Sequence, residues 1–176
     1  MLGSISQFLN AIPFRQVAEG LRIPFNSIAA GCSTQCLTSA GLVITATSGK
    51  KTPKTGASIT YGSVLGSLVS IASGTDTAAL AGTVTNAKFN VYCFYVDGAG
   101  ALTSAMGTEG ATLAAVKFPP TPDPTTSPKA LYGFIIINPT GTGNFVGGTT
   151  AIDDATVVPN TVYINVVGDF DPNIQL

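Results

Sequence analysis

The first thirty residues carry a different hydrophobic rhythm from the rest of the chain. Phe14, Val17 and Leu21 recur at i, i+3 and i+7, one stripe of a short helix. Pro13 stands just before it, where a first helical turn accepts proline, while Gly20 weakens it and Pro24 ends it. The tripeptide Ile-Pro-Phe occurs at 12–14 and again at 23–25, each time beside an arginine, Arg15 or Arg22. Residues 1–40 therefore read as an apolar N-terminal arm with one short helix and extended flanks. Such a segment either docks on a neighbouring subunit or covers one end of the domain.

From Gly41 onward the period changes to two. Residues 42–47 predict a short strand, 50–54 a turn with lysines at its tip, and 59–62 and 67–71 two further strands. The densest run of aromatic and β-branched residues, 88–97, predicts the strongest strand. It ends in Asp97-Gly98-Ala99-Gly100, a turn that needs positive φ and sends 102–104 back as a hairpin partner. Five prolines within 118–129 exclude a central strand there and predict an extended surface loop. The continuous apolar run of 131–138 predicts a strand buried on both faces. A Gly-rich turn, the pair Phe145-Val146 and a last strand at 161–167 complete the pattern. The fold expected is mainly β: a single sandwich or barrel, jelly-roll or immunoglobulin-like, over 41–176, with the arm of 1–40 in front of it.

Composition adds a surface to this fold. Eight basic and nine acidic side chains serve 176 residues, and charged residues make up 10% of the chain, against roughly 25% in ordinary soluble proteins. Thr, Ser, Gly, Asn and Ala must supply much of the exterior. That neutral surface suits packing against other protein, the alternative being a hydroxyl-rich solvated exterior. Arg15, Arg22, Lys50, Lys51 and Lys54 face only Glu19 in the first 54 residues, whereas the last 26 hold Asp153, Asp154, Asp169 and Asp171 and no base. The net charge of -1 argues against a protein that coats nucleic acid. No stretch reaches the roughly 18 clean apolar residues of a membrane helix, so neither nucleic acid nor membrane is an expected partner.

Catalytic constellations are thin. The chain has no histidine, which removes the Ser-His-Asp triad, the Cys-His pair and His-ligated metals. Cys32 and Cys36 stand four apart and could pair, while Cys93 lies in an apolar run and reads as a small buried hydrophobe. The odd cysteine count and the absence of a basic leader favour synthesis in a reducing compartment. Asp153-Asp154 reads as a helix cap or solvated turn rather than a cation loop. The glycine-rich 141–147 has no following Lys or helix to cradle phosphate. No catalytic, cofactor or metal residue is assigned, and the chain is expected not to be an enzyme.

A series of segments, weak singly, carries a resemblance by its order. These are TAALAGTVTNAKFN at 77–90, VYCFYVDGAGALT at 91–103, LAAVKFP at 113–119, LYGFIII at 131–137, FVGGTTAID at 145–153 and VYINVVGDFD at 162–171. Over about 75–171 the chain resembles small structural proteins encoded in the head modules of tailed bacteriophages. The resemblance implies a virion component, most plausibly a capsid decoration or cement protein on the outer capsid surface, made in the bacterial host cytoplasm. Its implied partners are the major capsid protein and other copies of itself, a trimer being the order considered. The arm would then supply the interface, through Phe8, Phe14, Arg15, Leu21, Arg22, Ile23 and Phe25. The alternatives are a tail or fibre module touching the host surface, with 118–129 as its exposed loop, and a carbohydrate-binding or hydrolytic β-sandwich.

Overall fold

A computed structural model describes residues 34–45, 52–56, 60–168 and 170. The expected helix, and the expected arm of 1–40 as far as residue 33, lie outside the described residues. Within them the chain is mainly β, with antiparallel strands throughout and one 3-10 turn, Leu113–Ala115, as its helical content.

The centre is a four-stranded sheet in the order β11 (Val162–Asn165), β9 (Lys129–Ile137), β7 (Asn90–Asp97), β8 (Leu102–Met106). The two longest strands, β7 and β9, lie side by side in the middle. Their alternating apolar side chains enter two separate cores. Tyr92, Phe94 and Val96 join Tyr132, Ile135 and Ile137 on one side, whereas Val91, Cys93 and Tyr95 join Phe134 and Ile136 on the other. The burial on both faces expected of 131–138 is observed, with every residue from Tyr132 to Ile137 buried. A β-bulge interrupts the pair: Phe94 faces Gly133 but Tyr95 faces Leu131, leaving Tyr132 opposite no residue of β7. The Tyr132 carbonyl instead accepts from Val166 N–H at 3.2 Å.

A three-stranded sheet, β1 (Gln35–Cys36), β4 (Thr60–Val64) and β5 (Ser67–Ile71), contributes Cys36, Val64, Val69 and Ile71 to the first core. Two small ribbons add to that core. Strand β10 (Phe145–Val146) pairs with β6 (Thr83–Val84) and sets the fully buried Phe145 opposite Val84. Strand β2 (Val43–Ile44) pairs with β3 (Pro53–Lys54). An isolated bridge between Cys36 and Gly168 ties the segment after β11 to β1. The sheets do not close into a barrel: β8 and β11 are the outer strands of the four-stranded sheet.

Several expectations change in detail. Strand 67–71 is observed as expected; of 42–47, the described residues 42–45 hold a strand at Val43–Ile44, and 46–47 lie outside the described residues. Pro53–Lys54, expected as turn, is a strand. Proline is tolerated there because it sits in a two-residue ribbon, where few ladder bonds are asked of it. Gln35–Cys36, which the sequence assigns to the arm, pairs with β4, and Cys36 and Ala40 are fully buried in the first core. The hairpin after β7 forms as expected, with Gly100 at φ +83° and Asp97 Oδ1 accepting from Ala99 and Ala101 N–H at 2.9 Å each.

Candidate functional site

None of the seven interface residues named from sequence, Phe8, Phe14, Arg15, Leu21, Arg22, Ile23 and Phe25, lies within the described residues. A cavity of about 230 Å³ lies beside the second core. Strand β7 places Cys93 and Tyr95 on its wall, β9 places Lys129 and Leu131, and Phe118, Phe170, Thr34, Gln35, Thr121 and Gly168 lie around them. Phe118, Phe134 and Phe170 form a mutual aromatic cluster with ring centroids 5.1–5.5 Å apart. The cavity wall is therefore mixed, aromatic and aliphatic on one part and polar on the other, where Thr34, Gln35, Thr121 and Lys129 stand.

Two of its groups, Cys93 and Tyr95, are held in their protonated forms by burial. The Cys93 thiol is fully buried, and burial pushes its pKa up to about 12. Burial also raises the Tyr95 phenol, and the neighbouring Cys93 raises it further. At neutral pH both groups keep their protons, and a protonated thiol is a poor nucleophile. The half-buried Lys129 donates from Nζ to Thr103 Oγ1 at 3.3 Å. Cys93 thus has the hydrophobic role that its apolar sequence context suggests. On the opposite core Cys36 is buried, its thiol donates to Thr38 O at 3.0 Å, and burial raises its pKa. Its sequence neighbour Cys32 lies outside the described residues.

Several carboxylates among the described residues bind the chain's own loops. Asp154 Oδ1 accepts from Thr156 N–H at 2.8 Å and Val157 N–H at 3.1 Å, capping a turn as sequence suggested. Asp123 Oδ1 accepts from the Thr125 N–H at 2.8 Å and its hydroxyl at 2.6 Å. These bonds hold the Asp123 carboxyl down to about 2 and brace the proline-rich loop. Asp76 accepts from the Thr45 hydroxyl at 2.8 Å, and Glu109 accepts from Thr85. Sequence reasoning missed the Asp76, Asp97 and Glu109 roles. The Asp-Gly turn at 97–98 carried a local signal; the other two partners lie 31 and 24 residues away and carried none.

Among the described residues seven large apolar side chains remain exposed: Val43, Leu65, Leu68, Met106, Val146, Val162 and Val167. Among the described residues no three Cys, Asp or Glu side chains gather as a metal site, and no helix is long and apolar enough to cross a membrane. The chain matches no protein-family model, and comparison with curated proteins and with solved structures likewise finds no match.

Proposed function

We propose that this chain is a non-enzymatic structural protein of a bacteriophage virion, a decoration or cement protein that binds the outer capsid lattice as an oligomer and stabilises the head. The observation that carries the reading is the surface: carboxylates bound to neighbouring loops, together with exposed Leu65, Leu68, Val162 and Val167. A neutral exterior of this kind gains by contact with protein, and many weak contacts on a symmetric lattice add avidity without one strong site. The order of segments shared with phage head proteins supports the same assignment. In this reading the three-stranded and four-stranded sheets are the two layers of a β-sandwich around the first core. The arm supplies the capsid contact through Phe8, Phe14, Leu21, Ile23 and Phe25, with Arg15 and Arg22 beside them.

Co-sedimentation of the purified protein with undecorated capsids tests the reading. The protein should pellet with capsids, and Phe14→Asp with Phe25→Asp should abolish pelleting while the β signal in circular dichroism persists. Failure of the unaltered protein to pellet would remove the capsid assignment. The exposed stretch of the proline-rich loop, from Thr125 to Ser127, favours a second reading, a tail or fibre module that touches the host surface. Immunogold labelling of virions, on head or on tail, separates the two.

A further inference from the structure

The β4–β5 hairpin turns through Leu65 and Gly66, whose φ values are +51° and +83°. A two-residue turn with both residues at positive φ makes the flanking pair, Val64 and Ser67, the hydrogen-bonded one. Pairing then alternates along the ladder. Gly62–Val69 and Thr60–Ile71 exchange bonds, whereas Ser63–Leu68 and Tyr61–Ser70 do not. Leu68 and Ser70 therefore point their backbone N–H and C=O away from β4. Strand β5 is the outer strand of its sheet, and no strand, bridge or turn among the described residues takes up that edge.

Protein edges are ordinarily protected by lysine, proline, a bulge or a covering segment. Among the described residues strand β5 has none of these. No charged residue occurs between Lys54 and Asp76, and no proline between Pro53 and Pro119. The β4–β5 register runs without a shift. Leu68 is 70% exposed and Leu65 62% exposed. The edges of the larger sheet differ. On β8, Ser104 donates to Ala79 O and Thr103 receives Lys129. On β11, Asn165 Oδ1 accepts from Leu42 N–H at 2.8 Å.

We propose that β5 is a self-association edge, at which two copies of this chain join their β5 strands antiparallel about a twofold axis through Val69. That axis sets Leu68 opposite Ser70 of the partner subunit, and the reverse. These are the residues whose backbone groups face outward, so each such pair can exchange two hydrogen bonds. A second copy is the occupant because the register is self-complementary and the strand carries no charge to repel its own image or to select a charged stranger. The three-stranded sheets of the two copies would become one continuous sheet. The symmetry is twofold, unlike the threefold order considered from sequence. The inference rests on the hairpin alone and holds whether or not the chain sits on a capsid.

Light scattering across a concentration series, with residue-resolved amide exchange by NMR, tests it on the full chain alone. The expected result is a dimer that grows with concentration, with the Leu68 and Ser70 amides protected in step. Leu68→Lys and, separately, Ser70→Lys place a charge on the exposed face and should leave monomers in which β7 and β9 amides remain protected. A monomer whose Leu68 and Ser70 amides exchange freely at the highest concentration overturns the proposal. So does a dimer that survives in both variants, or protection of those two amides that arises only when capsids are added.

Discussion

Glu109 receives two hydrogen bonds from Thr85, one from the backbone N–H and one from the hydroxyl, both at 2.9 Å. The pair fastens the segment after β8 to the end of β6 and lowers the Glu109 carboxyl below its ordinary value of 4.5, with Lys88 assisting. A carboxyl lowered by folding contributes stability above its unfolded value, and that contribution fades as pH falls through the folded one. The Thr85 amide should therefore stay protected from exchange at neutral pH and open as acid is added below 4.5. Glu109→Gln should open it at neutral pH; equal protection in the variant would show that the carboxylate is not the fastening.

Asp123 gives a second acid response at a different place. Its carboxyl is held to about 2 by Thr125 and Thr126, against an ordinary 3.8. The turn at 123–127, closed by Ser127 N–H to Asp123 O at 2.9 Å, should persist well below pH 3.8. The Thr125 amide shift followed by NMR should titrate with a midpoint about 2. A midpoint near 3.8 would mean that the two Thr125 bonds are not kept in solution.

Cys93 should resist alkylation at pH 8 in the folded protein and react on unfolding, because its thiol is buried and raised to about 12. Mass spectrometry after iodoacetamide treatment, with and without denaturant, checks this. Rapid native labelling of Cys93 would point to an opening at the cavity that it lines.

Tyr92 and Tyr132 bury hydroxyls that find no hydrogen-bond partner among the described residues. Burial drives the Tyr92 phenol to about 12 and raises that of Tyr132 as well. A buried donor without a partner carries its desolvation cost uncompensated, and its removal releases that cost. Tyr92→Phe and Tyr132→Phe should therefore be neutral or stabilising by about 1 kcal/mol in urea denaturation. A clear loss of stability would show that each hydroxyl is bonded, for instance to an ordered water.

Gly133 lies where three elements meet. A Cβ there would stand 2.4 Å from Leu42 Cδ1 and 2.7 Å from the Ile164 carbonyl oxygen. Leu42 can shift, but the backbone of β11 is held by its ladder to β9. Gly133→Ala should cost about 1–3 kcal/mol, as overpacked cores do, and thermal unfolding would measure it. An unchanged midpoint would mean that β11 moves away at little cost.

The sequence disclosed the elements whose residues depend on their immediate neighbours. The alternation of 67–71, the Asp-Gly turn at 97–98 and the unbroken apolar run of β9 are local patterns, and each appears in place. What stayed hidden depends on contacts across the chain. Gln35–Cys36 is a strand because β4 lies beside it, and Thr83–Val84 because Phe145–Val146 does. Two residues carry too little period to be seen. Similarly, Glu109 looks like any solvated acid until Thr85 is brought next to it. Sequence directed attention to the arm for contacts, whereas the exposed edge of β5 becomes visible only once strand order and hydrogen-bond phase are known.

The bulge at Tyr132–Gly133 makes β9 two half-strands that are out of phase. Before it, even-numbered Ala130 and Tyr132 enter the first core; after it, odd-numbered Ile135 and Ile137 do. One inserted residue thus acts as a parity switch. Without it, a regular strand that kept Ala130 and Tyr132 in place would send Phe134 and Ile136 into the first core and expel Ile135 and Ile137 from it. Phe134 would then leave Phe118 and Phe170, and the aromatic cluster would lose its centre. The spacing of the chain by a single residue decides which core each half of its longest strand supplies.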